Sequence, residues 1–119
     1  MVDYRNYIVW QKSHKLVIDI YKTTASFPKS EQFNFVSQIN SAALSIPTNI
    51  VEGCGRETQK ELIRFLYISS GSAHELEYLI YAATELNFIE NDLSQKILSE
   101  ISEIKKMLYA LIQTIKKQL

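Results

Sequence analysis

The sequence predicts an all-α fold, an antiparallel up-down four-helix bundle built from a single domain of residues 1–119. Apolar residues recur at alternating spacings of three and four in four segments, which is typical of amphipathic helices. The chain contains only three Gly and two Pro, so few turns interrupt long regular elements. Short connections between such helices place consecutive helices antiparallel, which predicts the up-down arrangement.

The first helix is predicted to begin near Asn6, a residue type that caps helix N-termini, and to run to about Thr24. The pair Phe27-Pro28 ends it, because proline cannot continue a helix and also disfavours helical geometry in the residue before it. The predicted buried stripe comprises Trp10, Ser13, Leu16, Val17, Ile20, Tyr21 and Thr24.

The second helix is predicted to be capped by Ser30 and to continue through Pro47 with a kink, because proline deletes the bond to the carbonyl of Ala43. We expect Gly53-Cys54-Gly55 to end it through a left-handed glycine. Its predicted core positions are Val36, Ile39, Ala43, Ile46 and Ile50.

The third helix is predicted to start at a capping box formed by Thr58 and Glu61 and to run to about Leu86, with Asn87 as its C-terminal cap. Its predicted core positions are Leu62, Phe65, Ser69, Ser72, Ala73, Leu76, Leu79, Ile80, Ala83 and Leu86.

The fourth helix is predicted to start at Asn91 or Asp92, and it carries the clearest periodic pattern in the chain. A heptad-like repeat defines its core positions as Leu93, Ile97, Ile101, Ile104, Leu108, Leu111 and Ile115.

Bulk composition favours a soluble cytoplasmic protein with no membrane partner. Cys54 is the single cysteine, which fits a reducing compartment. The N-terminus has no signal-peptide pattern, and no apolar run approaches the ~20 residues that cross a bilayer. The formal net charge is zero, from 13 Lys+Arg and 13 Asp+Glu, which argues against strong non-specific nucleic-acid binding because such binding depends on phosphate neutralisation.

Several sequence blocks between Val9 and Ile89 resemble one known family, the four-helix-bundle proteins encoded by intervening sequences in bacterial 23S ribosomal RNA genes. This family also contains the accessory variability protein of diversity-generating retroelements. The resemblance implies a ring-like assembly, typically a homopentamer, and an alternative partner that is RNA, DNA or a nucleic-acid enzyme. The matching blocks include Val9-Trp10-Gln11-Lys12, Ser45-Ile46-Pro47-Thr48-Asn49-Ile50-Val51-Glu52-Gly53, Arg64-Phe65-Leu66 and Gly71-Ser72-Ala73.

The sequence predicts no catalytic residue, no metal site and no cofactor. Helical di-metal sites use Glu three residues before His, whereas Gln11 precedes His14 and Gly71 precedes His74 at that spacing. Cys54 has no neighbouring histidine in sequence, and no phosphate-binding glycine loop occurs. We therefore predict a protein that is not an enzyme.

A polar flank beside the core stripe of the second helix has two interpretations. It forms either a hydrogen-bond and ion-pair network that supports Pro47 and the following turn, or a ligand or partner site. Its residues are Gln38, Ser45, Asn49, Glu52, Arg56 and Arg64.

A second stripe runs along the side of the third helix that is opposite its core. Tyrosine is enriched at protein interfaces because it buries apolar area while keeping a polar tip, so we predict a subunit contact here. The alternative is a set of tyrosines that lie singly among polar side chains. The predicted contact residues are Ile63, Tyr67, His74, Tyr78 and Tyr81.

A basic arc on the fourth helix is the candidate nucleic-acid contact, because basic residues that flank an aromatic ring can bind a phosphate backbone. The alternative is that positive charge near a helix C-terminus complements the helix dipole, which alone would explain the two lysines nearest the C-terminus. The arc comprises Lys105, Lys106, Tyr109, Lys116 and Lys117.

The combined prediction is a non-enzymatic helical-bundle scaffold or adaptor that associates with other copies of itself as a homo-oligomer. The biological process in which it acts is undefined. The alternative is a weak nucleic-acid-binding accessory protein that works with an RNA-linked or retroelement partner.

Overall fold

The computed structural model describes residues 2–119, and four long helices account for most of them: α1 (Ile8–Thr24), α2 (Ser37–Cys54), α3 (Gln59–Glu85) and α4 (Asn91–Lys117). No β-strand occurs in these described residues. Both α1 and α3 pack against α2 and α4, in a bundle measuring 46 × 23 × 19 Å. The predicted all-α bundle is confirmed. Within residues 2–119, no helix has the length and apolar character that crossing a membrane requires.

The buried core follows the predicted stripes, with corrections at their ends. All five core residues predicted for the second helix are buried, although Val36 lies in the turn that precedes α2. In α4, Leu93 is exposed and Leu111 is only half-buried, while Ile112 is buried. The heptad itself holds, because Ser94, Ile101, Leu108 and Ile115 are buried at spacings of seven residues, and the errors lie at positions next to it.

The predicted stripes of α1 and α3 were also wrong at their margins. In α1, Trp10 is half-buried and Tyr21 is exposed, whereas Val9 is buried. In α3, Ser72 is half-buried and Leu86 is exposed. Packing of neighbouring helices decides which flank of each stripe is covered, and periodicity alone does not specify that flank.

Two predicted N-terminal caps were wrong. Asn6 lies in a short 3-10 turn capped by the Asp3 carboxylate, which accepts a hydrogen bond from the Arg5 amide at 3.0 Å, and α1 begins two residues after Asn6. Ser30 also lies in a 3-10 turn, and a π-helical turn at Gln32–Val36 then leads into α2. In both places a 3-10 or π-helical turn precedes the α-helix, so the α-helix begins later in the chain than predicted.

The Thr58 half of the capping box predicted for the start of α3 is confirmed, whereas the Glu61 carboxylate bonds to Arg64 rather than to the Thr58 amide. The Thr58 Oγ1 accepts a hydrogen bond from the Glu61 amide at 3.2 Å, which satisfies one free donor of the first turn. The Glu61 carboxylate accepts from the Arg64 guanidinium at 3.0 Å, and this hydrogen bond lowers the pKa of the Glu61 carboxyl.

The end of α2 differs from its prediction, because no glycine in residues 2–119 has a positive φ. Gly55 caps α2 in the right-handed region at φ −82°. The predicted left-handed glycine was therefore wrong.

The turn between α3 and α4 contains the predicted Asn87 cap. Asn87 has φ 65°, a conformation that asparagine tolerates better than most residues. The Asn87 amide donates to the Thr84 carbonyl at 3.0 Å and the Phe88 amide to the Ala83 carbonyl at 2.9 Å, which is a Schellman motif. The hydroxyls of Thr84 and Ser94, 2.7 Å apart, join the two helices just beyond this turn.

The segment around Pro47 is helical, so the predicted continuation of α2 is confirmed, while the kink stays a prediction. Side chains donate hydrogen bonds to the carbonyls of the three residues before this proline. The pairs are Thr48 to Leu44, Asn49 to Ser45 and Ser69 to Ile46, each at 2.8 Å. These bonds supplement the helical ladder where proline weakens it.

Candidate interaction surfaces

Charged residues are unevenly distributed over the outer surface of the bundle. Between α1 and α4, Lys12 pairs with Glu103 at 2.8 Å, and Lys15 pairs with Asp19 on the same side at 2.9 Å. By contrast, Glu52 is the single Asp, Glu, Lys or Arg in α2. One long side of the bundle is therefore strongly hydrated, and α2 presents mostly uncharged groups.

Four tyrosines lie on the outer side of the α3–α4 pair, and their exposed fractions range from 49% to 68%. His74 lies seven residues after the first of them and four before the second, so it shares their side of α3. We call this surface the tyrosine face and define it by Tyr67, His74, Tyr78, Tyr81 and Tyr109.

Ile63, which the sequence assigned to this surface, is buried in the core. It lies one helical turn before Tyr67, on the flank of α3 that α4 covers. The prediction for Ile63 was therefore wrong, because packing of α4 converts one edge of the outer stripe into core.

Two contacts join α3, the helix that carries the predicted subunit stripe, to the predicted basic arc on α4. The Lys116 Nζ donates to the Tyr67 hydroxyl at 2.6 Å and lies 5.1 Å from the centre of its ring. The Lys105 Nζ donates to both oxygens of the Glu77 carboxylate, at 3.0 and 3.2 Å. The two predicted sites thus lie on adjoining helices of one surface.

These contacts also divide the basic arc. Lys105 is half-buried and neutralised by Glu77, so it offers little charge to a phosphate. Lys106 and Lys117 are exposed and make no ion pair with any other described residue of 2–119. The positive charge that is free for a ligand is therefore smaller than the sequence suggested.

Gly71 forms a notch in the middle of the tyrosine face. It follows Tyr67 by four residues and precedes His74 by three, and a Cβ built there would meet no atom within 4 Å. Glycine inside a helix costs about 1 kcal/mol relative to alanine. The isolated bundle gives no packing reason for this glycine.

The predicted polar flank separates into local groups. Gln38 donates to the Asn34 side chain at 3.1 Å, away from the others. The Asn49 amide donates to both the carbonyl and the hydroxyl of Ser45, at 2.8 and 2.9 Å, and the Ser45 hydroxyl lies 2.7 Å from that of Ser72. These bonds support the interpretation of Asn49 and Ser45 as supports of the proline segment and of the α2–α3 contact.

The two arginines of the polar flank enclose the α2–α3 turn. The guanidinium carbons of Arg56 and Arg64 lie 4.8 and 4.5 Å from the centre of the Phe65 ring. Arg56 also pairs with Glu52 at 3.6 Å. Each guanidinium therefore has an aromatic and a carboxylate partner, an arrangement that stabilises the turn rather than presenting free positive charge.

The groups considered for catalysis lie apart from one another. Burial raises the pKa of the Cys54 thiol, which disfavours the reactive thiolate. His14 stacks on Trp10 with ring centres 5.2 Å apart, and the Nδ1 of His74 lies 2.8 Å from the Ser70 carbonyl. Among residues 2–119, no cluster of three His, Cys, Asp or Glu side chains is placed to hold a metal ion.

Sequence reasoning missed a second weakly charged surface, on the outer side of α1 and α2. Ile18, Tyr21 and Leu44 are exposed by 44% to 47%, and Phe33 in the connection between these helices is 95% exposed. The signal that could have revealed this surface is the near absence of charged residues in α2.

Comparison with known proteins agrees with the predicted resemblance. The profile of the 23S rRNA-intervening sequence protein family matches residues 5–110. The chain is also similar to a crystal structure of a protein with unknown function from the S23 ribosomal protein family of Bacteroides thetaiotaomicron. That similarity has a TM-score of 0.80 and 26% sequence identity, over 88% of this chain and 98% of the other. No curated protein matches significantly.

Proposed function

Because the chain belongs to the family of 23S rRNA-intervening sequence proteins, we propose that it is a non-enzymatic, homo-oligomeric scaffold or adaptor. The tyrosine face is the observation that carries this proposal. Four exposed aromatic rings on one side of a small bundle are costly in water and well suited to a protein contact. The notch at Gly71 leaves room there for a side chain of another copy.

The assembled form that we propose is a closed ring of five copies in the cytoplasm. The family resemblance, which implies a ring that is typically a homopentamer, is the basis for proposing the closed assembly and the number of copies. A cytoplasmic location fits the single cysteine, Cys54, which is a buried free thiol.

Replacing Tyr67 and Tyr78 together by Glu is expected to convert the assembly to monomers. A Glu at position 67 can pair with Lys116, but a carboxylate that is buried in an apolar contact still loses its hydration, so the contact becomes unfavourable. Light scattering coupled to size exclusion measures the change in mass. The matched control is Ile8→Glu, because Ile8 is 58% exposed and shares a helical side with Lys12 and Lys15, away from the tyrosine face. An unchanged mass for the double variant would rule out this contact.

A second candidate function, weak nucleic-acid binding, rests on Lys106 and Lys117. Both are exposed, and Tyr109 lies between them along α4. A ring would repeat these lysines around its axis and raise the local positive potential above what a neutral chain suggests.

Nucleic-acid binding by this surface is expected to weaken as salt rises. Replacing Lys106 and Lys117 by Gln should reduce the slope of log affinity against log salt by about 1.5, at roughly 0.7 to 0.9 for each phosphate that is no longer neutralised. Fluorescence anisotropy with a labelled RNA oligonucleotide measures this slope. Lys15→Gln, at an exposed lysine of α1 that pairs with Asp19, should leave it unchanged. No binding even at low salt would exclude this function.

A further inference from the structure

We infer that the N-terminal segment, residues 2–7, is a strap that closes a cavity over the Cys54 thiol and opens while the four helices stay folded. The strap ends at Tyr7, the residue directly before α1. Its opening exposes a thiol that is otherwise shielded, so a folded bundle has a closed and an open state. This conformational change takes place within one copy and does not depend on the proposed assembly.

The cavity lies at the end of the bundle where α2 ends and α3 begins, and it has a volume of about 170 Å³. Val2 and Tyr7 are the strap residues that line it. The other lining residues belong to the end of α2, the turn after it, the start of α3 and the end of α4, and they include Cys54. Protein cavities of about this size admit a molecule as large as benzene, so the space beneath the strap is large enough for a reagent to reach the thiol.

The closed strap shields Cys54, which is a free thiol with only 4% of its surface exposed. Burial, followed by the negative charge of Asp3, raises the pKa of this thiol. Burial, followed by the charge of Cys54, likewise raises the pKa of the half-buried Tyr7 phenol. Two strap residues, Asp3 and Tyr7, therefore lie near the thiol, and their removal changes its surroundings.

The strap keeps its own shape through hydrogen bonds within itself. The Asp3 carboxylate accepts from the Arg5 amide at 3.0 Å and from two nitrogens of the Arg5 guanidinium at 3.1 Å each. The Asn6 amide donates to the Asp3 carbonyl at 3.1 Å, and the Tyr7 amide donates to the Tyr4 carbonyl at 3.0 Å. None of these bonds requires a helix of the bundle, so the strap can move as one piece with Tyr7, whose backbone is extended, as its hinge.

The strap is attached to the bundle by a small number of contacts. No residue of its 3-10 turn, Tyr4–Asn6, is buried. The Gln11 side chain donates to the Arg5 carbonyl at 2.8 Å in an exposed hydrogen bond, and the Tyr4 ring meets the Trp10 ring edge-on with centres 5.0 Å apart. Segments with little buried apolar area and exposed hydrogen bonds open at a lower free energy than the whole fold, so we expect the strap to open before the bundle unfolds.

The test measures how fast dithionitrobenzoate modifies Cys54 in the folded wild-type chain. The Cys54 thiolate attacks the disulfide of the reagent, forms a mixed disulfide and releases a coloured thiolate, and the signal is specific because the chain has a single cysteine. Modification is expected to be faster than global unfolding allows. Its rate is also expected to be nearly independent of urea at low concentrations, because opening the strap exposes little surface.

Two variants weaken the attachment of the strap. Gln11→Ala removes the bond to the Arg5 carbonyl and is expected to raise the modification rate roughly two- to five-fold. Tyr4→Ala/Gln11→Ala also removes the ring contact and is expected to raise it by about ten-fold or more. Alanine at position 11 favours α1, so a faster reaction of Gln11→Ala cannot come from a weaker helix. The matched control is Thr58→Ala, at the opposite wall of the cavity, which should leave the rate unchanged.

Three results would overturn the inference. The first is modification at the rate of global unfolding with the full urea dependence, which means that no local opening occurs. The second is a wild-type chain that reacts as fast in water as in concentrated urea, which means that the strap does not shield the thiol. The third is acceleration by Thr58→Ala but not by the strap variants, which places the opening at the α2–α3 turn. Circular dichroism verifies that each variant is folded, and Gln11→Ala alone decides the test if the double variant unfolds.

Discussion

Replacing Gly53 by Ala is expected to lower the free energy of unfolding by about 1–3 kcal/mol, although alanine stabilises most helix positions. The added Cβ would lie 2.9 Å from Cδ1 of Leu62 and 2.9 Å from Cβ of Phe65. The end of the Leu62 side chain can rotate away, but the Phe65 Cβ is attached to the α3 backbone. The contact between α2 and α3 must therefore open, which weakens packing around it.

The measurement is urea unfolding followed by circular dichroism, in the Tyr67→Glu/Tyr78→Glu background. That background removes any contribution that the proposed subunit contact makes to apparent stability. Gly71→Ala is the matched control, because its Cβ meets nothing within 4 Å. It is expected to stabilise the bundle by about 0.5–1 kcal/mol. A stabilising effect of Gly53→Ala as well would contradict the close approach of the two helices.

Replacing Ser69 by Val is expected to destabilise the bundle by about 3 kcal/mol, through crowding and the removal of a hydrogen bond. Ser69 is fully buried, and its hydroxyl donates to the carbonyl of Ile46, directly before Pro47. Valine adds a methyl group at this fully buried position and removes the donor.

Ser69→Ala separates the two causes, because it removes the hydroxyl without adding volume. We expect it to cost only about 1 kcal/mol, the usual net value of one hydrogen bond. The same urea unfolding measures both variants. Equal stabilities for Ser69→Val and Ser69→Ala would show that crowding at this site is negligible.

Much of the fold follows from local sequence patterns. The core positions of α2 and the cap at Thr58 depend on spacing within a few residues, and both predictions were confirmed. Asn87 was also predicted, because few residues other than Asn and Gly tolerate the left-handed conformation. Such signals are local, so a single sequence is enough to detect them.

The candidate surfaces were only partly predictable, because they depend on residues far apart in the chain. The periodicity of α3 placed Tyr67 and Tyr78 outside, but it could not show that α4 buries Ile63. Nothing in the local sequence identifies Glu77 as the partner of Lys105, 28 residues away. Gly53 was assigned to a helix end by its residue type, whereas its lack of a side chain serves the contact with α3.

The three side-chain contacts between α3 and α4 also suggest an order of folding. Thr84 with Ser94, Glu77 with Lys105 and Tyr67 with Lys116 close loops of 10, 28 and 49 residues. The entropic cost of closing a loop rises with its length, and each contact formed shortens the loop that the next one must close. The α3–α4 hairpin can therefore form progressively from the Asn87 turn outward. Each new contact closes only a short remaining loop, and contacts of this kind favour rapid folding.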